Sequence, residues 1–282
     1  MPSILPPSPL FLLLGLAALM YLALSAQMCR TVFSPNEALK ISPALLKCFV
    51  GIALALHAAA LAGLLFDPPP TLNFSFALAF SLMIWLAILI NWLAGFHAAP
   101  IDALYIVLLP AGLLGAMLVL IFPQTHPLSS EHGILFSLHF LAIMLAYSLY
   151  ALATALAVFM RLAETRLHRR RNMAQQMSGV PPLLSMESFL FRLLSIAFVL
   201  LSFALLSGIF YSETLFGKPL VFDHKTVFGI LSWLIFGILL LGRQFRGWRG
   251  KIALRWILSG FVALMLAYVG SRFVLEVLLR QV

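Results

Sequence analysis

The stretch 43-PALLKCFVGIALALHAAALAGLLF-66 is apolar over nearly its whole length, and Lys47 is its one formally charged residue. A helix needs roughly 20 apolar residues to cross a hydrocarbon core about 30 Å thick. Lipid offers no hydrogen-bond partner to a peptide group, so a spanning segment must satisfy its own backbone. The stretch therefore predicts a transmembrane α-helix.

The same continuous apolar pattern recurs along the chain. Hydrophobic residues make up 63% of the 282 residues and charged residues 10%, against about 25% charged residues in a soluble globular protein. These values exclude a soluble domain. We predict an all-α, polytopic membrane helix bundle with about eight transmembrane helices, forming a single integral membrane domain over residues 1–282. The predicted spans are residues 9–28, 43–66, 74–94, 103–122, 133–162, 189–211, 224–242 and 252–279.

Basic residues indicate how this bundle is oriented. They cluster in connections that fall on one side of an alternating eight-span arrangement, and such loops face the cytoplasm. Both termini are then expected outside, in a multi-pass protein of a bacterial inner (plasma) membrane. The formal net charge of +9 is attributed to this topology and to contact with the lipid bilayer, and not to nucleic acid. The basic residues are Arg30 and Lys40, then Arg161, Arg166, Arg169, Arg170 and Arg171, then Arg243, Arg246, Arg249, Lys251 and Arg255.

Histidines within the predicted spans are the ionisable residues that point to a function. Such side chains are costly within spans, so each is a functional candidate. His57 lies in the second span, His139 near the outer start of the fifth and His224 at the outer start of the seventh. All three lie on the outer side of the midplane, and neutral imidazole ligates haem iron and other metals. We therefore predict that they converge in a haem or metal pocket. Each could instead be a packed residue hydrogen-bonded to a neighbour.

Two further residues refine that pocket. Asp223 is placed to cap the seventh helix, and His224 then lies at the positive end of the helix dipole, where the neutral, metal-binding imidazole is favoured. Arg272 lies near the outer end of the eighth span. It could hold a carboxylate such as a haem propionate, or it could reach water or pair with Glu276 four residues later.

Other reactive groups are sparse. Cys29 and Cys48 are the two cysteines, and they form no C-x-x-C motif. This spacing argues against a thiol redox site and against covalent haem attachment to the chain. Lysine is absent from span centres, and no carboxylate pair lies within a span. We identify no catalytic residue and expect a binding protein rather than an enzyme.

Short motifs in the C-terminal half carry a family resemblance. The chain resembles the cytochrome c assembly membrane protein family of CcsA- and CcmC-like haem-handling proteins, and within it the YpjD/HemX-like branch, over about residues 50–280. The matching stretches are 137-SLH-139, 146-AY-147, 181-PPLLSME-187, 207-SGIFY-211, 223-DHKT-226, 247-GWRG-250 and 268-YVGSR-272.

The resemblance implies haem binding, or haem delivery to apocytochromes at the outer membrane face, with cytochrome c assembly proteins as partners. In the family, outward-facing histidines flank a tryptophan-rich segment; His139 corresponds to the first, and His224 falls where that segment would run into the next helix. The chain departs from this pattern, since 217-GKPLVF-222 replaces the tryptophan-rich segment and Gly242 stands where larger members carry a membrane histidine. The resemblance thus implies haem handling without the family's full apparatus for attaching haem to apocytochrome.

Two other functions remain open at this point. A protein of the same fold could act as a non-catalytic regulatory or scaffolding component, and it would then bind no haem. A small-molecule transporter is the second alternative, but transporters commonly show broken helices at the midplane or an internal repeat. Neither feature is clear in the sequence.

The orientation is testable by cysteine accessibility in a chain with Cys29 and Cys48 replaced by serine. Arg170→Cys should react with an impermeant maleimide only after the cells are permeabilised, because the loop that contains it is expected to face the cytoplasm. Ser130→Cys, in an expected outer loop, is the control and should react in intact cells. The reverse pattern of labelling would show that the orientation is inverted.

Overall fold

A computed structural model describes residues 9–33, 41–66, 72–96, 102–123, 126–128, 134–169, 183–216 and 224–270. The chain groups into two compact units, Met1–Ser130 and Glu131–Val282. Each unit contributes four of the eight α-helices found among the described residues. Whether the two units form one integral membrane domain, as the sequence predicts, depends on how they associate, and it stays a prediction.

The first unit is a bundle of four helices in which each helix packs against two others, in a closed ring. Helices α1 and α3 each pack against both α2 and α4. A single 3-10 turn, Asp102–Leu104, leads into the fourth helix. The helices are α1 (Pro9–Phe33), α2 (Pro43–Phe66), α3 (Phe76–Ala94) and α4 (Tyr105–Ile121).

A short two-stranded ladder lies at one end of this unit. Strands β1 (Leu72–Phe74) and β2 (His126–Leu128) pair antiparallel. The third span was predicted from residue 74, but residues up to Phe74 belong to the strand and α3 begins at Phe76. The reason is local, because the Ser75 side chain caps the helix by accepting a hydrogen bond from the backbone N–H of Leu78 at 3.2 Å. A serine that accepts such a bond satisfies one of the unpaired N–H groups at a helix start.

The second unit is also a four-helix bundle in which each helix packs against two others. Helix α5 packs against α6 and α8, and α7 packs against the same two. A π-helical turn, Leu266–Gly270, follows the last helix. Helix α5 continues beyond the predicted span at residues 133–162. The helices are α5 (Ile134–Arg169), α6 (Leu183–Phe216), α7 (His224–Arg246) and α8 (Gly250–Met265).

These helices make the protein a multi-pass membrane protein, as the sequence predicted. Six of the helices in the described ranges, α1, α2, α3, α5, α6 and α7, are long and apolar enough to cross a bilayer. Helix α4 is shorter at 17 residues, a length of about 26 Å at 1.5 Å per residue. Helix α8 has 16 residues before its π-helical extension. Large apolar side chains such as Leu19, Val199 and Leu206 point outward, as expected for surfaces in contact with lipid.

A stacked aromatic pair lies at the centre of the second unit. The rings of Tyr150 on α5 and Phe236 on α7 stack with their centroids 3.8 Å apart, and Phe236 is buried. Gly260 on α8 faces this pair, and a Cβ atom there would lie 2.8 Å from Cζ of Phe236. The absence of a side chain at Gly260 therefore lets α8 approach α7 closely, as small residues do in membrane helix packing.

Gly260→Ala should destabilise the protein by about 1–3 kcal/mol, the usual cost of overpacking a well-packed core. The Phe236 ring has little room to retreat because it already stacks on Tyr150. Thermal unfolding in detergent would measure the change. Gly229→Ala is the control, since its Cβ would lie 3.5 Å from the Leu205 side chain, and it should unfold near the wild-type temperature. Equal unfolding temperatures for both variants would contradict this account of the packing.

Candidate functional site

His57 lies in the interior of the first unit, with both ring nitrogens close to hydroxyl groups. It is fully buried on α2. Its Nδ1 is 3.3 Å from the Tyr21 hydroxyl on α1, and its Nε2 is 2.9 Å from Oγ of Ser81 on α3. The ring of Tyr21 also meets the imidazole edge to face, at 5.7 Å between centroids. One histidine thus connects three of the four helices in this unit.

A neutral imidazole allows the two hydrogen bonds of His57 to run in either of two directions. Such a ring has one N–H donor and one acceptor nitrogen. If Tyr21 donates its hydroxyl proton to Nδ1, then Nε2–H donates to Oγ of Ser81, and all three groups are satisfied. In that arrangement the lone pair of His57 is already used by Tyr21. Coordination of a metal through His57 would therefore require the network to open.

Small residues on α4 close this network from the remaining side. A Cβ atom at Gly112 would lie 3.3 Å from Cζ of Tyr21, and one at Gly115 would lie 3.2 Å from Cα of Ser81. Both glycines are buried. The two glycines let α4 pack directly over the residues that hold His57.

His139 occupies a different environment in the second unit. It is half-buried on α5, and its Nδ1 lies 2.8 Å from Oγ of Ser207 on α6. The Ser207 hydroxyl in turn donates to the carbonyl oxygen of Ala204 at 3.2 Å. If the single hydroxyl proton is used in that bond, Oγ accepts from the His139 ring and Nδ1 carries the proton. The lone pair of a neutral His139 then lies on Nε2.

Gly208 sets the space beside that ring. A Cβ atom at Gly208 would lie 3.1 Å from Cε1 of His139, which is tighter than ordinary van der Waals contact. The adjacent Ser207 and Gly208 thus act together: the serine holds one nitrogen, and the glycine leaves room for the imidazole. A histidine oriented through one nitrogen by a neighbouring group is the usual arrangement for metal ligands.

The remaining predicted site residues are placed only in part. His224 is the first residue of α7 and is exposed, so it begins a helix as predicted. Its predicted cap Asp223 and the predicted propionate partner Arg272 lie outside the described residues. His139 and His224 belong to the same unit, whereas His57 belongs to the other. Across the described ranges, no group of three or more His, Cys, Asp and Glu side chains could hold a metal ion.

Sequence reasoning did not identify the hydroxyl partners of the histidines. Tyr21, Ser81 and Ser207 lie on helices other than those of the histidines that they contact, and 24 or more residues separate each from its partner. Hydroxyl groups within apolar helices are common and often bond to their own backbone, so none stood out. The one available signal was Ser207, which lies in the motif 207-SGIFY-211.

Comparison with known proteins bears on what this arrangement is for. A family model described as "Cytochrome C assembly protein" matches residues 47–279, which is most of the chain. This chain belongs to the cytochrome c assembly protein family. Membership confirms the family that its motifs indicated, and the matched residues extend over parts of both units. No solved structure matches the chain.

Individual relatives of this family member match it over part of their length. Inner membrane protein YpjD of Escherichia coli (strain K12) is 37% identical over 99 residues, covering 35% of this chain and 37% of YpjD. A 28.8 kDa protein of Azospirillum brasilense is 33% identical over 149 residues, covering 52% of this chain and 54% of that protein. Cytochrome c biogenesis protein CcsA of Prochlorococcus marinus is 30% identical over 88 residues, covering 31% of this chain and 28% of CcsA. The name of the E. coli relative agrees with the predicted inner membrane location.

The hydrogen bonds of His57 predict a stability effect that can be measured directly. Ser81→Ala leaves Nε2 of His57 without its hydrogen-bond partner in the interior of the unit, and an unsatisfied buried donor or acceptor costs about 1–3 kcal/mol. Thermal unfolding in detergent should show this loss. Ser25→Ala is a matched control, because Oγ of Ser25 is buried and has no hydrogen-bond partner among the described residues. If both variants unfold alike, the Ser81 bond does not stabilise the unit.

Proposed function

We propose that this family member binds haem in its second unit, with His139 as an axial ligand to the iron. The chain of bonds from His139 through Ser207 to Ala204 carries the proposal. With the serine proton in the bond to Ala204, the imidazole takes the tautomer whose lone pair lies on Nε2, and an iron ligand needs such a lone pair. Family membership supports the choice of haem, and CcsA, a relative, is a cytochrome c biogenesis protein by name.

The surroundings of His139 suit a flat, largely apolar ligand. Phe136 and Phe140 lie on the same helix, and their rings stack at 6.3 Å between centroids. Nearby residues Leu138 and Leu141 have exposed side chains. A haem macrocycle has apolar faces, and lipid-depth side chains of this kind can cover them, while the iron gives the ligand its attachment to His139.

His224 and Arg272 have supporting roles in this proposal. His224 is exposed at the start of α7, and it would supply a second ligand. Arg272 would pair with a propionate. His57 is the least supported of the predicted ligands, because its two nitrogens already have hydroxyl partners.

The proposed role is haem binding or transfer rather than covalent attachment. The sequence carries no tryptophan-rich segment before Asp223, and Gly242 replaces the further membrane histidine of larger members. Cytochrome c assembly proteins are the proposed recipients or partners. When bound, haem would supply an iron centre that accepts imidazole ligands, and the residues of this chain would hold and orient it.

An absorption spectrum of protein made with haem supplied tests the proposal. Wild type should show a Soret band, and His139→Ala should remove or shift it because a coordinate bond is lost. His224→Ala should shift the band if it supplies the second ligand. His168→Ala is the control, since it removes a histidine from the far end of the same helix. Equal Soret bands in wild type and all variants would refute ligation by His139 and His224. A wild-type protein without a Soret band would overturn haem binding and leave the regulatory or scaffolding alternative.

The serine provides a sharper form of the same test. Ser207→Ala removes the acceptor for Nδ1–H of His139, and loss of such a partner typically lowers metal affinity about 10–100-fold. Haem loss to an excess of apomyoglobin would report the change. Ser195→Ala is the matched control, because its exposed hydroxyl bonds only within α6, to the carbonyl of Phe191 at 2.9 Å. Unchanged haem retention in Ser207→Ala would refute the proposed tautomer. Ligation by His139 itself would still be decided by the absorption spectrum of His139→Ala.

A further inference from the structure

A cavity lies among the ends of three helices in the second unit. Its volume is about 260 Å³, and it is bounded by α5, α6 and the start of α8. Its residues lie near the end of α5 and the start of α6. His139 lies near the start of α5 and contacts Ser207 toward the end of α6, so the cavity is at the opposite end of the unit. In the predicted orientation this end faces the cytoplasmic leaflet of the membrane.

The wall of the cavity contains both apolar and charged side chains. Apolar side chains, including Ala157, Leu190 and Ala253, form its deeper part, whereas Arg161, Glu164, Glu187 and Arg249 are its charged residues. Pockets for drug-sized ligands usually enclose about 300–1,000 Å³. A space slightly below that range suits a compact polar group with an apolar continuation.

Among the described residues around the cavity, arginines outnumber glutamates. Arg161 pairs with Glu164 at 2.6 Å. Glu187 is shared by two guanidinium groups, with the Arg243 side chain at 2.7 Å and Nε of Arg249 at 3.0 Å from the same carboxylate oxygen. Three arginines therefore face two glutamates, and the group has a net charge of +1. Arg249 is the most open of these side chains at 58% exposure, so it can reach a further anion.

The turn that presents Arg249 is held in place from both sides. Gly247 and Gly250 have positive φ angles of 64° and 55°, which glycine adopts without strain. Between them, Trp248 stacks on Trp256 of α8 with centroids 5.3 Å apart and packs against Gly242. Arg243 is fixed as well, with its guanidinium 4.6 Å from the centre of the Phe191 ring. The cationic side of the cavity is thus a built feature rather than a loose surface loop.

We propose that this cavity binds the phosphate headgroup of an anionic phospholipid. The phosphate would lie between Arg161 and Arg249, and the acyl chains would follow the apolar wall toward the membrane core. Basic pockets between transmembrane helices on the cytoplasmic side commonly bind such headgroups, and a phosphate is well matched to guanidinium groups. The proposal concerns the opposite end of the unit from His139 and does not depend on haem.

Native mass spectrometry of the full chain in detergent tests the proposal, with phosphatidylglycerol as the probe. Arg249→Gln and Arg161→Gln should each weaken retention of the lipid about tenfold, as expected when a charged hydrogen bond is lost. Arg255→Gln is the matched control, because it removes an exposed positive charge from α8 that does not line the cavity. Phosphatidylcholine of the same chain length should bind weakly and equally to all four proteins.

A variant that fills the cavity tests its shape separately from its charge. Ala253→Met places a larger side chain on the apolar wall and keeps every arginine, so it should also reduce phosphatidylglycerol retention. Elution as a single species in size exclusion identifies the folded variants, and a variant that fails to fold leaves the other two to decide. Unchanged retention in the folded variants would overturn the proposal. It would also be overturned if Arg255→Gln lost as much lipid, or if millimolar inorganic phosphate displaced the lipid completely, which would identify a free anion as the ligand.

Discussion

Polar groups inside the bilayer have no water to bond with, and this constraint organises both units. His57 is satisfied by hydroxyls from α1 and α3, and His139 by a hydroxyl from α6. The indoles of Trp85 and Trp92 on α3 donate to backbone carbonyls of Leu54 and Lys47 on α2, each at 2.9 Å. Hydrogen bonds of this kind fix which face of one helix meets which face of the next. Apolar packing alone would specify this poorly, since lipid tails are as apolar as the side chains that they touch.

The two histidines show how this constraint separates a structural residue from a candidate ligand. Each imidazole meets a serine, so the residue types alone do not distinguish them. They differ in their partners: both nitrogens of His57 meet hydroxyl groups, whereas Nδ1 of His139 meets a serine that donates a hydrogen bond to a backbone carbonyl. The bonding of that serine thereby determines which nitrogen of His139 carries the lone pair.

The fold was largely predictable from sequence, because long apolar runs dictate helices in lipid and the basic loops limit the topology. Helix ends were less predictable. The start of α3 depends on the Ser75 cap, and α6 begins at Leu183, before the predicted span at residue 189. The histidines of the site could be named from sequence, but their hydroxyl partners could not. Those contacts arise from helix packing between distant residues, and no spacing rule in the sequence encodes them.

Helix α5 contains 36 residues, which corresponds to about 54 Å at 1.5 Å per residue. It carries His139 near one end and Arg161 toward the other. The sequence between these residues contains no glycine or proline, and sharp kinks in helices arise mostly at such residues. The segment should therefore be a straight, stiff rod that is held by α6 and α8. The position of His139 is thereby tied to that of the basic end by one rigid element, and a substitution that shifts α5 at one end would also shift it at the other.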